Sequence, residues 1–184
     1  QVENMVTKGE KMLVIAAIDG TALGDVLQKA EDTDIPIIAY DRLIRDSDAV
    51  DYYTTFDNEK VGKLQGDALV KKLKDDGAKG SIVMINGAPT DNNAKLFKEG
   101  AHSVIDSSGF KVAKEYDTPD WSPDKAQTEM EQAITALGKD GFVGVYAAND
   151  GTAGGAIAAM KGNGVDPTKI PTTGQDAELA AIQR

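Results

Sequence analysis

Met12-Leu13-Val14-Ile15-Ala16-Ala17-Ile18 is the longest apolar run in the chain, and Asp19-Gly20 ends it. Seven residues are strand length, well short of the roughly 18 a membrane-crossing helix needs. The run is continuously apolar at its start, with no alternation, which fits a strand in a sheet covered on both faces. What flanks it sets the rhythm. Gln1 to Gly9 reads as the end of a helix, with Val2, Met5 and Val6 at helical spacing and Gly9 as its C-terminal cap. Thr21 to Thr33 reads as the next helix.

The same alternation continues along the chain. Strands are predicted over Ile35 to Tyr40, Gly80 to Asn86, Phe110 to Tyr116, Phe142 to Ala147 and Ile170 to Thr173. Helices are predicted over Asp57 to Asp75, Asn93 to Ser107, from Ser122-Pro123 onward, over Thr152 to Gly162, and from Ala177 to Arg184. Ser122 and Pro123 are the preferred cap and first-turn residues. Strands alternating with helices of ten or more residues make parallel βαβ units, so the fold class is α/β. The one break lies between Tyr40 and Asp57, a long charged connection holding its own extended piece, Val50 to Phe56. Thr55-Phe56 is the candidate crossover between two lobes, residues 1–55 and 56–184.

Composition narrows the function. The chain has 184 residues, 41% of them apolar, so a packed core is attainable. The formal net charge is −10, which argues against nucleic acid as a partner. With no Cys, disulfides, thiolate metal sites and Cys nucleophiles are excluded, and a single His leaves little for metal or Ser-His-Asp chemistry. Asp91, Asn92 and Asn93 lack the spacing of a calcium loop. Gly151-Thr152-Ala153-Gly154-Gly155 lacks both the dinucleotide and the P-loop pattern. No metal or cofactor is expected.

The informative residues follow the strands. Asp41-Arg42 follows Tyr40. Asp91-Asn92-Asn93 lies in the loop after Asn86, and Trp121 in the loop after Tyr116. Asn149-Asp150 follows Ala148, and Gln175-Asp176 follows Thr173. In an open parallel sheet these ends share one side, where ligands bind. Carboxylates, amides, an Arg fork and an exposed aromatic suit a sugar, whose hydroxyls donate and accept and whose ring has an apolar face. Asp and Asn after strands also serve as helix caps, and that reading stays open for each one taken singly.

These segments resemble periplasmic sugar-binding proteins of the ribose and xylose group. The resemblance runs through Ala39-Tyr40-Asp41-Arg42, Phe56-Asp57-Asn58-Glu59-Lys60-Val61-Gly62, Asp91-Asn92-Asn93-Ala94-Lys95-Leu96-Phe97, Asn149-Asp150 and Gly174-Gln175-Asp176-Ala177. The Asp91 to Phe97 stretch and Trp121 before Ser122-Pro123 look like xylose binders. Ala16 to Thr21 and Tyr40 to Arg45 look more like a related multi-sugar binder that also presents sugar to a sensor kinase.

The resemblance implies a type I periplasmic-binding-protein fold: two Rossmann-like α/β lobes with parallel sheets that close on the sugar. It implies that Asp41 and Arg42 hold hydroxyls from the first lobe, that Asp91, Asn93, Asn149 and Asp176 do so from the second, and that Trp121 stacks on the ring. The ligand would be a monosaccharide, xylose or a related aldose. The partners would be a membrane ABC permease, or a sensor kinase or chemoreceptor. The location would be periplasmic or on the extracellular face, with a lipid anchor as one form of attachment. Family members carry further segments at both ends, so terminal pieces are expected to be missing from this chain. A sugar-responsive repressor core and a glycosidase using paired carboxylates are the competing classes.

Overall fold

A computed structural model describes all residues from Gln1 to Arg184. They form two compact units, Gln1–Asp57 with Thr90–Asn93, and Asn58–Pro89 with Ala94–Arg184.

The first unit contains α1 (Val2–Lys8), β1 (Leu13–Ile15), α2 (Gly24–Glu31), β2 (Ile37–Tyr40) and β3 (Tyr52–Thr54). Gly9 ends α1 with φ 72°, and its N–H returns to the Met5 and Val6 carbonyls, as the sequence led one to expect. The three strands form a parallel sheet in the order β1-β2-β3, with Leu13 opposite Ile37 and Ile38 opposite Tyr52. Leu13, Ile37 and Ala39 point to one face and pack with Leu27 and Ala30 of α2, joined by Val2 and Val6 of α1. Burying each of the larger side chains contributes about 1.5–3 kcal/mol. The opposite face differs from the two-sided cover read from the sequence. Val14 is 61% exposed and Tyr52 68%, because both helices of the unit serve the Leu13 face.

The second unit contains α3 (Asn58–Asp75), β4 (Ser81–Asn86), α4 (Asn92–Ile105, whose first two residues group with the first unit), β5 (Lys111–Asp117), α5 (Pro123–Leu137), β6 (Gly144–Ala147), α6 (Asp150–Gly162) and α7 (Leu179–Gln183). Its parallel sheet has the order β5-β4-β6. Here both faces are covered. Ile82 and Met84 pack with Leu69 and Leu73 of α3 and with Phe97, Ala101 and Ile105 of α4. Val83 and Ile85 pack with Met130 and Ala133 of α5 and with Ala156 and Met160 of α6. This two-sided burial is why β4 reads as an unbroken apolar run.

Ser122 caps α5, accepting from the Lys125 N–H, with Pro123 in the first turn. The strand expected at Ile170 to Thr173 is reduced to a single parallel bridge, Thr172 with Val145. Its hydrogen bonds run from Val145 N–H to the Pro171 carbonyl and from Thr173 N–H to the Val145 carbonyl. Pro171 has no N–H to extend the ladder.

Candidate functional site

In the first unit four of the residues singled out in the sequence meet. Asp41 leaves β2 with φ 64°, and the next N–H, that of Arg42, returns to the Tyr40 carbonyl at 2.7 Å. This sharp turn projects the two side chains from the strand end. Arg42 Nε lies 3.2 Å from Asp91 Oδ2. The Asn93 side-chain amide donates to the Asp41 carbonyl at 3.2 Å and to Asp41 Oδ1 at 3.3 Å. Asp91 Oδ1 accepts the Asn93 backbone N–H at 2.9 Å. Asp91 therefore both caps the start of α4 and pairs with Arg42. A carboxylate this deeply buried is costly without such partners.

Two residues around this network were not among the predicted sugar contacts. Tyr53 donates its hydroxyl to the Asp41 carbonyl at 3.4 Å. Burial raises its pKa, a hydrogen bond with Thr55 opposes this, and the carboxylates of Asp41 and Asp91 add to the rise. Arg45 donates to the Thr90 carbonyl at 3.0 Å and tethers the residue before Asp91. Asp19, by contrast, is occupied locally, accepting from the Thr21 N–H and hydroxyl.

In the second unit, Asn149 caps α6. Its Oδ1 accepts the Thr152 N–H at 2.9 Å, while the Thr152 hydroxyl sits 3.3 Å from the Asn149 N–H in a capping box. The cap leaves its Nδ2 facing Asp176, 3.4 Å from Oδ2. The cap reading and the site reading are thus compatible for Asn149. Trp121 lies in a short 3-10 turn, Pro119–Trp121. Its indole packs against the backbone at Gly87, where a Cβ would stand 2.0 Å from Cη2, so only glycine admits the ring. It meets Phe97 edge to face, with centroids 6.3 Å apart at 69°. Half-buried, Trp121 belongs in part to the core around Phe97.

Backbone conformation singles out the same loops. The non-glycine residues in the left-handed region are Asp34, Asp41, Asp46, Asp120, Trp121, Asp176 and Ala177. Three of the seven are residues read from the sequence as sugar contacts, and Asp120 and Ala177 are their neighbours. Such conformations cost energy and gather where the fold must aim a side chain.

The second unit also holds a pocket of ≈ 480 Å³ between α3 and the Pro171–Gly174 segment, lined mostly by groups such as Leu64, Ala68, Leu69 and Pro171. None of the predicted sugar contacts lines it, and its mostly apolar wall does not suit a polyol. Gln65, in its wall, belongs to a relay that the helical pattern of α3 gave no reason to expect. Tyr146 donates to Gln65 Oε1 at 2.9 Å, and Gln65 Nε2 donates to the Ala148 carbonyl at 3.0 Å and the Gly174 carbonyl at 3.2 Å.

Comparison with known proteins agrees with the fold. The periplasmic binding protein domain matches residues 1–184. The multiple sugar-binding periplasmic receptor of Rhizobium radiobacter is 47% identical over 100% of this chain and 56% of its own length. The D-xylose-binding periplasmic protein of Escherichia coli is 43% identical over 100% of this chain and 55% of its own length. An ABC transporter solute-binding protein of Clostridium phytofermentans, solved with β-D-glucose, superposes with a TM-score of 0.87 at 39% identity, covering 99% of this chain and 60% of that one. The chain thus spans little more than half the length of these relatives. With two parallel α/β units, polar strand ends and a full-length match, this chain belongs to the periplasmic binding protein family.

Proposed function

We propose that the chain is the larger part of a non-enzymatic, extracytoplasmic solute-binding protein that captures a monosaccharide and hands it to a membrane ABC importer. Asp41, Arg42, Asp91, Asn93, Asn149 and Asp176 would bind the sugar's hydroxyls, and Trp121 would offer its ring to the apolar face of the sugar. The observation that carries this reading is the Asp41–Arg42–Asp91–Asn93 network, which links a guanidinium, two carboxylates and an amide through successive contacts of 3.2, 2.9 and 3.3 Å. Alternating donors and acceptors of that kind match a polyol better than an anion or an apolar ligand.

An aldose is the ligand class. D-xylose is the first candidate, on the Asp91 to Phe97 and Trp121 motifs and the 43% identity to a D-xylose-binding protein. A broader multi-sugar specificity is the second reading, favoured by the 47% identity to a multiple sugar-binding receptor. In that reading the partner is a sensor. A fructose-binding periplasmic domain of a hybrid two-component system also shares the fold, with a TM-score of 0.84 at 28% identity.

The relatives' names support a periplasmic location, and no helix is long and apolar enough to cross a membrane. Calorimetric titration of the complete protein with D-xylose, L-arabinose, D-glucose, D-galactose and D-fructose tests the reading. Saturable binding of D-xylose well above the other sugars supports the first candidate, and comparable binding of several supports the second. Heat from none of them at millimolar sugar overturns both.

A further inference from the structure

Asp150 opens α6 immediately after Asn149 and is only 8% exposed. Three of its polar groups are engaged by the chain's last segment. Its backbone N–H donates to the Gln175 carbonyl at 2.9 Å. Its Oδ2 accepts the Glu178 N–H at 2.9 Å. Its carbonyl accepts from Arg184 Nη2 at 3.1 Å. Gly174 closes on the same carboxylate, since a Cβ there would stand 2.3 Å from Oδ1. Asp176 lies between the tethered positions, at φ 97°, followed by Ala177 at φ 54°. Two successive L residues hold this conformation only where their surroundings impose it.

We propose that Asp150 is a positioning residue, which clamps the Gly174–Glu178 segment so that the Asp176 carboxylate meets the Asn149 amide and is presented to the sugar. This inference rests on the sugar-binding reading above. The clamp acts at both ends of the segment: the Asp150 N–H fixes the residue before Asp176, and the Asp150 carboxylate fixes Glu178 beyond it. Without the carboxylate, the Glu178 N–H loses its acceptor. The strained pair Asp176-Ala177 then relaxes toward negative φ, and the Asp176 carboxylate swings away from Asn149. Gly174 is part of the device, because any side chain there would push the carboxylate off its seat.

The test titrates D-xylose and D-glucose into the complete protein carrying D150A, D150N, G174A, D176A or the D150A/D176A pair, with amide exchange followed at Ala177 and Glu178. D150A is expected to weaken binding about tenfold or more, the scale of one lost hydrogen bond at a site. It should weaken it little further when D176A is already present, because the two act as one unit. D150N keeps an oxygen for the Glu178 N–H and should stay within a few-fold of wild type. Exchange at Glu178 should quicken in D150A while the core amides stay protected. G174A should reproduce the D150A loss, and it carries the same comparison if D150A does not fold. Wild-type affinity in D150A and G174A beside a weakened D176A overturns the clamp, as do losses that multiply in the double variant. Wild-type affinity in D176A overturns instead the role of Asp176 in sugar binding, and this inference falls with it.

Discussion

Arg42 Nε stands 3.2 Å from Oδ2 of Asp91, whose side chain is 2% exposed while that of Arg42 is 28% exposed. The pair is lopsided: the carboxylate is sealed and the guanidinium is partly exposed. Arg42 meets the buried carboxylate through Nε and the Ala17 carbonyl through Nη1 at 3.5 Å, and its remaining N–H groups would serve a ligand. The salt-bridge and sugar-fork readings of Arg42 are compatible in this geometry.

Arg42→Lys keeps the charge beside Asp91 but loses the fork. Sugar affinity should fall by about 1.5–3 kcal/mol, as for a charge-assisted hydrogen bond, with little change in melting temperature. Arg42→Leu takes the guanidinium away from the buried Asp91 and should cost about 3–5 kcal/mol of stability as well. Calorimetry and thermal melts of both variants check this. A lysine variant that binds sugar like wild type rules out the fork.

Trp121→Ala should lower both affinity and stability. The indole fills the space above Gly87 and touches Phe97, so its removal opens a gap as well as taking away a stacking surface. A loss of about 1–3 kcal/mol in folding is expected, at or below the low end for a buried aromatic because the ring is half-exposed. Trp121→Phe keeps an aromatic face and should recover more of the binding than of the packing. A W121A protein with lowered stability and unchanged affinity assigns Trp121 to the core alone.

His102 predicts a pH dependence. Burial disfavours its charge, but hydrogen bonds with Asp106 at 3.0 Å and Glu115 at 3.1 Å outweigh this, and its pKa is raised above 6.5. A group whose folded pKa is raised contributes stability that is fully present below the unfolded value and is lost as pH rises through the folded one. Glu115 is shifted the other way. Burial raises its pKa, yet bonds from His102, Lys98 and Asn86 win and lower it, so its contribution is lost only as pH falls through the acid range. Wild type should exceed His102→Gln in stability below the unfolded-state value of about 6.5, with the gap closing as pH rises through the raised folded-state value. The gap should be below about 1 kcal/mol, since the partners are partly solvated. Denaturant midpoints across that range measure it, and a gap constant with pH would show that His102 does not titrate there.

Gln65→Leu should destabilise the second unit by about 1–3 kcal/mol, the cost of leaving buried polar groups without a partner. Tyr146 retains its longer bond to the Phe97 carbonyl at 3.3 Å, but the Ala148 and Gly174 carbonyls lose a donor. Because Gly174 leads into the segment bearing Asp176, sugar affinity should fall too. Urea melts with a sugar titration test both, and stability unchanged from wild type would make the relay dispensable.

Much of the candidate site was legible because its residues stand at strand ends, and strand ends follow from local pattern. The strand-end positions of Asp41, Arg42, Asn149 and Asp176 needed only the apolar runs before them, while their roles toward a sugar were implied by the family resemblance. Asp150 was visible as a neighbour of Asn149, but nothing in the sequence said that it would turn inward to hold Glu178. Gln65 and Tyr53 sit in stretches where helical and β-branched patterns explain every position, so their polar ends were hidden. Within this chain one face of β1 stays exposed, although its apolar run reads as covered on both sides. An apolar run records which residues tolerate burial, and it does not record which helices are present to cover them.

The sequence alone determined the alternation of strands and helices, the parallel α/β class and the set of polar residues at the strand ends. Those features depend on spacings of two to four residues, on caps and on the stiffness of Ile and Val, all carried within a few positions along the chain. Tertiary structure decided the pairings: Asn93 with Asp41 across 52 positions, Glu178 with Asp150 across 28, and Gln65 with Gly174 across 109. A hydrogen bond is made within about 3.5 Å or not at all. Which donor reaches which carboxylate therefore depends on the packing of whole elements against one another, and local propensity carries no record of that.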